Sequence, residues 1–424
     1  MDNITHSLFG LATAKYVNSK INKKKDKKVT VFLYFVSIFA ANFPDLDILM
    51  SLIDPGPLGY LLHHRGHTHT FLYLVPQVFL LLLLSILGFR IKDKKVIFAG
   101  VALVSVNMCL HLFLDYQNSY GVHPFAPFNS QWFYNDNLFI IEPLLWFTML
   151  PMLFTPIPKF WTKEMWCSTW GTKVKVLFWF VGLGFFVAIA YLAYRAQYVS
   201  LFTFSFLCLL FLFYLLILNA KSDASKSLVA LISAAVIVQG FALARTQAYR
   251  QVYAAESRPS LAEYKIFDVI LSPMPANPFC WTFLTVSSDQ ENVYMIKKGV
   301  YQNSFAKVFS CPDAVYKNLQ HGKSVHTFQE VYVEETHSAP LRSLVEDLGS
   351  ESINCKRDQW LQFVRAPLRE KQYVYKDMRF ERGSNFTKID VTDPDVRCVT
   401  LQVPWVPPRQ DLINLIRDKQ EKHN

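Results

Sequence analysis

Acidic residues and histidines that could bind a metal ion occur in four short clusters of the chain, "NITHS", "NFPDLD", "HHRGHTH" and "HLFLD". Imidazole and carboxylate groups together suit zinc, manganese or iron(II). Carboxylates gathered beside a low-dielectric layer repel one another, and a divalent cation removes that repulsion. We therefore predict a site for one or two divalent ions, with zinc preferred over manganese or iron. The predicted ligands are His6, Asp45, Asp47, His64, His69, His111 and Asp115.

The spacing within the clusters is compatible with a shared ion. His111 and Asp115 are four residues apart, so they lie one turn apart on the same face of a helix. An extended or turn conformation would direct both Asp45 and Asp47 to one point. Gly66 permits a turn between the two ligand histidines of the third cluster.

The predicted ligands outnumber those that a single zinc ion needs. Either two ions bind, or some of these residues orient the ligands or act as the general base. The candidate catalytic residues are Asp47, Arg65 and Asp136, and Arg65 could hold an anionic group of the substrate or equally extend to the interface. Asp136 and Glu142 could equally cap the helix that follows them. Three other histidines are predicted to anchor the chain at the membrane interface: His63, His67 and His123.

Apolar segments that are long enough to cross a hydrocarbon layer of ~30 Å occur up to about residue 244. The predicted spans are 30–50, 71–89, 95–115, 138–156, 174–194, 198–219 and 227–244. A shorter amphipathic helix over about 3–19 precedes them. The fold class is therefore a polytopic α-helical membrane protein of about seven spans, followed by a strand-rich α+β soluble domain.

Three regions are expected along the chain. A membrane-embedded domain with the metal site covers 1–156, further transmembrane helices cover 157–244, and an extracytoplasmic α+β domain covers 245–424. Alternating apolar residues between Asn, Gly, Pro and Ser favour strands in the last region. Disulfides are permitted in an oxidising compartment, but the sequence does not define their pairing. The four cysteines of this region are Cys280, Cys311, Cys355 and Cys398.

The net charge of +10 is a signal of topology. Basic residues concentrate in the connections of one side, 20–28, 90–95, 157–175 and 221–226. The connections of the other side, 51–70, 116–137 and 195–197, contain only two residues of the Lys or Arg type, Arg65 and Arg195. Because basic loops stay in the cytoplasm, we predict a multi-pass protein of the bacterial inner membrane with the clusters and the C-terminal domain in the periplasm. Membrane lipid is the expected partner, and no nucleic acid partner is predicted.

Six motifs in fixed order resemble the inner-membrane proteins of the YdjM/YbcI type, which are described as metal-dependent hydrolases. They are "MDNITHSLFG", "ANFPDLD", "HHRGHTH", "HLFLD", "NSYGVHPFAPF" and "WFYNDNLFIIEP". The resemblance covers about residues 1–145. It departs at Thr70, where Ser is usual, and at Glu142, where Asp is expected, and both changes keep the type of chemistry. The resemblance implies hydrolysis and does not identify a substrate.

The preferred hypothesis is a membrane-bound hydrolase whose metal site lies at the outer-leaflet side and acts on an ester or phosphoester. Its location at lipid depth favours a lipid or a lipid-linked phosphate. Two alternatives stay open: a metal-binding transporter or sensor, and a scaffold in which the metal is structural. Transport is weakened because the segments 174–194, 198–219 and 227–244 contain almost no ionisable residues.

Overall fold

The computed structural model describes residues 1–154, 170–195, 199–257, 264–289, 293–303, 311–312, 327–328, 330–380, 386–401 and 403–423. The helices are α1 (Asn3–Ile21), α2 (Lys27–Ala40), α3 (Pro57–His63), α4 (Phe71–Phe89), α5 (Lys94–Tyr116), α6 (Pro143–Met149), α7 (Trp170–Arg195), α8 (Leu201–Asn219), α9 (Asp223–Glu256), α10 (Glu351–Leu361) and α11 (Gln410–His423). Short 3-10 helices cover Phe43–Leu52, His67–His69, Leu150–Leu153, Leu341–Leu344 and Met378–Phe380.

Side-chain caps fix the first residue of several helices. Asp2 accepts a hydrogen bond from the backbone N–H of Thr5 at the start of α1. Thr70, Ser200 and Ser222 do the same for α4, α8 and α9. Each cap satisfies an N–H group that has no partner inside the helix. The cap at Thr70 also defines where the apolar helix α4 begins.

Four described helices are long and apolar enough to cross a membrane: α4, α5, α8 and α9. A fifth span is obtained if α2 and Phe43–Leu52, which are bent by 55° relative to each other, count as one. Four predicted spans coincide with these helices, and 30–50 corresponds to the bent pair. The helix α9 continues to Glu256, beyond the predicted limit at 244.

The described residues do not support the predicted number of seven spans. Within 138–154, the described part of one predicted span, the structure has a shorter apolar helix, over Pro143–Leu153. Glu142 precedes it in an extended conformation, and a 3-10 turn begins at Leu150, next to Pro151. The end of this predicted span, from residue 155, lies outside the described residues. The helix α7 covers the predicted span 174–194, but many of its side chains do not belong to the described part of the structure.

The predicted N-terminal helix packs inside the helical bundle, against α2, α5 and α9. A Cβ atom at Gly10 would lie 2.9 Å from the Cα atom of Ile38, so glycine permits the close approach of α1 and α2. A polar network crosses the same interface: Asn107 Nδ2 donates to Ser37 Oγ, which donates to the carbonyl oxygen of Gly10. This interface fixes α1 beside the end of α5 that carries two predicted ligands.

Two of the basic connections meet at one end of the bundle. Lys28 Nζ donates to the carbonyl oxygen of Arg90 at 3.3 Å, which joins the connections 20–28 and 90–95. Lys15 on α1 forms an ion pair with Asp223 at 3.3 Å, which places the start of α9 near this end as well. The predicted ligands lie at the opposite ends of the same helices.

The C-terminal part is rich in strands, as predicted, and its described residues form two antiparallel sheets. The strands are β1 (Tyr264–Met274), β2 (Asn277–Asp289), β3 (Val293–Gln302), β4 (Thr327–Phe328), β5 (Val331–Pro340), β6 (Pro367–Lys371), β7 (Val374–Asp377) and β8 (Ile389–Asp390). The larger sheet has the order β1-β2-β3-β5-β4, and the smaller has β6-β7-β8. Two disulfides form the pairs that the sequence left open, Cys280–Cys311 and Cys355–Cys398.

One hydrophobic core joins the C-terminal domain to the segments near the ligand clusters. Leu58, Leu61 and Trp132 pack in it together with Trp360 and Trp405. The smaller sheet therefore rests on the same end of the bundle as the ligands. The predicted limits of the three regions, at 156 and 244, stay a prediction.

Candidate metal centre

Four of the predicted ligands converge. Asp45, His69, His111 and Asp115 each offer one ligand atom, and these atoms all lie within 4.8 Å of one another. Asp45 comes from the 3-10 helix after α2, and His69 from the turn before α4. His111 and Asp115 lie in the last turns of α5, one turn apart as their spacing predicts.

The distances within this group match the size of a tetrahedral zinc site. The Nε2 atoms of His69 and His111 are 3.0 Å apart. Asp115 Oδ2 lies 3.2 Å from His69 Nε2 and 3.4 Å from His111 Nε2. Asp45 Oδ1 lies 3.5 Å from each of these nitrogens. Bonds of ~2.0–2.1 Å to a tetrahedral ion place its ligand atoms about 3.3 Å apart.

Hydrogen bonds on the far side of each ring direct both Nε2 atoms to the same point. His111 Nδ1 donates to the carbonyl oxygen of Ala41 at 2.8 Å, so the Nε2 atom of the neutral ring presents a lone pair. His69 Nδ1 faces Asp47 Oδ2 at 3.3 Å. Asp115 Oδ2 has no hydrogen-bond partner in the described part of the chain. The centre thus brings acceptor atoms together and requires a cation, either a metal ion or a proton on one ring.

The charges around His69 also favour positive charge at this point. Burial disfavours the charged imidazole, but the surrounding carboxylates, with Asp115 first, outweigh burial and raise the pKa of His69 well above its usual value. The same carboxylates would stabilise a metal ion.

Asp47 lies beside the group of four and orients its histidines. Its Oδ1 is 3.0 Å from His64 Nδ1, and its Oδ2 accepts hydrogen bonds from Arg65 N and Thr68 Oγ1, both at 2.8 Å. The backbone explains the difference from the predicted ligand set. In a 3-10 helix, with three residues per turn, residues two positions apart point in different directions. Asp45 therefore faces the centre while Asp47 and His64 lie behind His69.

His6 also lies next to the group without belonging to it. Its ring stacks on His111 with centroids 3.9 Å apart, and its Nε2 is 3.4 Å from Asp115 Oδ1. Both ring nitrogens of His6 are buried and have no hydrogen-bond partner among the described residues. The α-amino group of Met1 contacts the same oxygen of Asp115.

Arg65 holds Asp115 rather than an open anion site. Its Nη2 is 3.0 Å from Asp115 Oδ1, and its Nη1 donates to Asn118 Oδ1 at 3.1 Å. The guanidinium lies over the ring of Tyr120, 4.7 Å from the centroid. Because Arg65 is buried and both of its terminal nitrogens are engaged, it positions a ligand in this structure.

The structure does not bring Asp136 to the centre, where we expected a catalytic residue. Both of its carboxylate oxygens accept hydrogen bonds of 2.9 Å from Arg365 Nη1, and Arg365 also binds Asp268. Asp136 thus forms a buried ion pair with the C-terminal domain. Glu142 caps α6 through the backbone N–H of Leu144, which confirms the capping alternative for that residue.

The three histidines that were predicted as interfacial anchors are engaged in other contacts. His63 Nε2 lies 3.0 Å from Asp54 Oδ2. His123 is buried between Trp132 and Trp405, and His67 lies near Trp405. The supporting residues Thr68, Asn118, Asp54 and Trp405 were not predicted from the sequence. Thr68 and Asn118 lie within quoted motifs, whereas Asp54 and Trp405 have no signal in the spacing of the clusters.

One edge of the centre is accessible. The side chain of Asp45 is 18% exposed, whereas the side chains of His69, His111 and Asp115 are fully buried. The residues that follow Asp45 form an exposed apolar surface: Leu46, Ile48, Leu49, Leu52 and Ile53. The accessible edge therefore borders an apolar surface.

Residues 1–198 match the family model described as YdjM inner membrane protein. The resemblance of the N-terminal motifs is thereby confirmed. The YdjM region contains all four converging residues together with Asp47, Arg65 and His6, whereas the sheets lie outside it. No curated protein and no solved structure matches the chain significantly. The family match and the apolar helices identify a membrane protein, and its buried cluster of His and Asp could hold a metal ion.

Proposed function

We propose that this protein is a membrane-bound, metal-dependent hydrolase that acts on an ester or a phosphoester at the outer-leaflet side of the membrane. The observation that carries the proposal is the convergence of Asp45, His69, His111 and Asp115, whose ligand atoms lie within 4.8 Å of one another. Zinc fits these ligand types and distances, and manganese or iron(II) would accept the same donors.

His69, His111 and Asp115 form a buried set of three ligands, the number that catalytic zinc sites use. A bound zinc ion would polarise the ester or phosphoryl oxygen and lower the pKa of a bound water. Asp45, at the accessible edge, is the carboxylate that can accept a proton from the attacking water. Asp47 holds His69, and Arg65 holds Asp115, so both act on orientation rather than on the substrate.

The apolar surface beside Asp45 supports a lipid or lipid-linked substrate. Leu52 is 81% exposed and Ile53 is 63% exposed in the segment that follows the bend after α2. A substrate with acyl chains would bury this surface while its polar linkage reaches Asp45.

The proposed location is the bacterial inner membrane, with several spans and with the C-terminal domain on the extracytoplasmic side. The two disulfides of that domain support an oxidising compartment. The basic connections at the opposite end support a cytoplasmic position for that end. Protease treatment of spheroplasts should cleave the C-terminal domain, and cleavage only in inverted vesicles would reject this orientation.

A hydrolysis assay tests the activity. The purified full-length protein in nanodiscs should release product from a panel of lipid phosphoesters and lipid esters, and a chelator should abolish release. His111→Ala should be inactive, whereas His337→Ala, in the sheet, should keep full activity. Absence of turnover on the whole panel by a protein that contains zinc would reject the hydrolase.

The alternative of a structural metal rests on the fourth ligand, because a complete set of four is typical of structural zinc sites. In that case, the chelator would lower the unfolding temperature and the wild type would show no turnover. Cation transport is disfavoured, because α8 contains no acidic, basic or histidine residue along its whole length.

A further inference from the structure

We propose that Thr400 and Trp405 of the C-terminal domain are positioning residues for the ligand loop, defined as residues 62–69, so that this domain sets the metal affinity of the centre. The effect on metal affinity rests on the proposed function, because the loop supplies the ligand His69. The effect on the loop itself does not depend on a metal ion.

Trp405 binds the backbone of the ligand loop at two points. Its indole N–H donates to the carbonyl oxygen of Leu62 at 2.7 Å. Its ring packs on Gly66 so closely that a Cβ atom there would lie 2.9 Å from Trp405 Cζ2. On its other side, the ring stacks on His123 with centroids 4.0 Å apart. Trp405 thus holds the loop between Leu62 and Gly66 and is itself buried.

Thr400 fixes the approach to the loop through Asp54. Asp54 Oδ1 accepts hydrogen bonds from Thr400 N at 2.8 Å and from Thr400 Oγ1 at 2.6 Å. Asp54 Oδ2 accepts one from Leu401 N at 3.2 Å and lies 3.0 Å from His63 Nε2. The C-terminal domain therefore holds His63, the residue directly before His64, through a buried carboxylate.

The loop passes this restraint on to the ligands. The carbonyl oxygen of Gly66 accepts a hydrogen bond from His69 N at 3.3 Å. The backbone N–H of Arg65 donates to Asp47, and the guanidinium of Arg65 contacts Asp115. The Arg65 φ angle of 59° is unfavourable for a residue with a side chain, so surrounding contacts must maintain it. Trp405 packs against Gly66, the residue that follows Arg65, and supplies such a contact.

The segment that precedes Thr400 is attached to the helix α10. Cys398 is bonded to Cys355 on α10. Next to it, Val399 forms two hydrogen bonds with Gln359 of the same helix, through its N–H at 2.7 Å and its carbonyl oxygen at 3.1 Å. The stretch that bears Thr400 is thus attached to α10 by a disulfide and two hydrogen bonds.

Trp360 provides a matched control. Like Trp405, it is buried and donates its indole N–H to a backbone carbonyl, that of Thr387, at 2.9 Å. Trp405→Phe and Trp360→Phe therefore remove the same atoms and the same type of hydrogen bond. They differ in that the bond lost at Trp405 reaches the ligand loop.

Both variants of the full chain in nanodiscs would be compared by hydrogen exchange of residues 62–69 and by zinc affinity in competition with a chelator. Trp405→Phe should raise exchange of the loop about tenfold or more and weaken zinc binding about 10–100-fold. Trp360→Phe should leave both quantities within about twofold of the wild type. Thr400→Val, which keeps the shape and loses one hydrogen bond, should give a smaller change in the same direction.

Unchanged loop exchange in both Trp405→Phe and Thr400→Val, or an equal increase in Trp360→Phe, would overturn the positioning role. Increased exchange with unaltered zinc affinity would overturn its link to the metal centre. A wild type that binds no zinc would reject the proposed function, whereas the exchange data would still decide whether the two residues hold the loop.

Discussion

The Nε2 atom of His69 lies 3.0 Å from the Nε2 atom of His111, while the Nδ1 atom of each ring faces an oxygen acceptor of its own. Two lone pairs that point at each other between two carboxylates form an arrangement that a bound cation stabilises. A proton could serve the same purpose, and measured metal content separates the two possibilities.

We expect His111→Ala to remove the metal. Purified wild-type protein should contain about one zinc ion per chain, because His69, His111 and Asp115 supply the three ligands of one catalytic zinc ion. The variants His111→Ala and Asp115→Asn should contain little zinc, as measured by elemental analysis. His337→Ala removes an imidazole from the sheet and should keep the wild-type content. Full content in both cluster variants would reject the ligand assignment.

Asp47→Asn should weaken metal binding without removing a ligand. The amide can no longer accept hydrogen bonds at both oxygens, so His64, Thr68 and His69 lose part of their orientation. Changes of this kind cost about 10–100-fold in metal affinity. Titration with zinc should therefore reach the wild-type stoichiometry at higher concentration. A variant that never reaches it would show that Asp47 is itself a ligand.

The sequence predicted which residue types form the centre. The structure shows that the backbone conformation decides which of these residues face it. The helical spacing of His111 and Asp115 is local, so it could be read directly from the sequence. The distinction between Asp45 and Asp47 depends on a 3-10 conformation after Pro44, which the pattern of apolar residues does not encode. The strand-rich C-terminal part followed from residue composition, but its pairing and its disulfides depend on contacts distant in sequence.

Asp136 shows a different limit. An acidic residue at the same end as the ligands is a reasonable catalytic candidate. In the structure, however, Asp136 is engaged in an ion pair instead. Its partner, Arg365, is more than two hundred positions away and belongs to a domain whose position over the bundle no local pattern indicates. Within the described residues, the apolar helix in the predicted span 138–156 is shortened for a related reason, because apolar content does not show where Glu142 and Pro151 interrupt it.

Arg365→Met should destabilise the protein and leave its metal content unchanged. The substitution leaves the buried carboxylates of Asp136 and Asp268 without their shared partner, a change that typically costs ~3–5 kcal/mol. Chemical unfolding would measure the loss. Arg369→Met, which breaks a more exposed pair with Glu346, should cost at most ~1 kcal/mol. Equal losses in both variants would contradict the importance of the buried pair.

The attachment of the C-terminal domain at Asp54 should weaken in acid. Burial opposes ionisation of Asp54, but hydrogen bonds from Thr400, His63 and Leu401 outweigh it and lower the pKa of this carboxyl to about 2. Because the folded-state pKa lies below the ordinary value of 3.8, the ionised group contributes stability that is fully present above about pH 4 and is lost as the pH falls toward 2.

Unfolding temperatures recorded between about pH 5 and pH 2.5 would test this, since they cover that range. The difference in stability between wild type and Asp54→Asn should be largest at the upper end and shrink steadily toward the lower end. A difference that does not change with pH would show that Asp54 acts through shape rather than through charge.

The contact between Trp405 and Leu62 also has a consequence for biosynthesis. The ribosome releases every ligand of the centre long before it reaches Trp405, so a partly synthesised chain holds the correct donor atoms in a loop that is not yet restrained. In the proposed orientation, tight loading with zinc would become one of the last events of maturation, after the final domain has crossed the membrane and its disulfides have formed. The proposed hydrolase would then stay inactive during its own insertion.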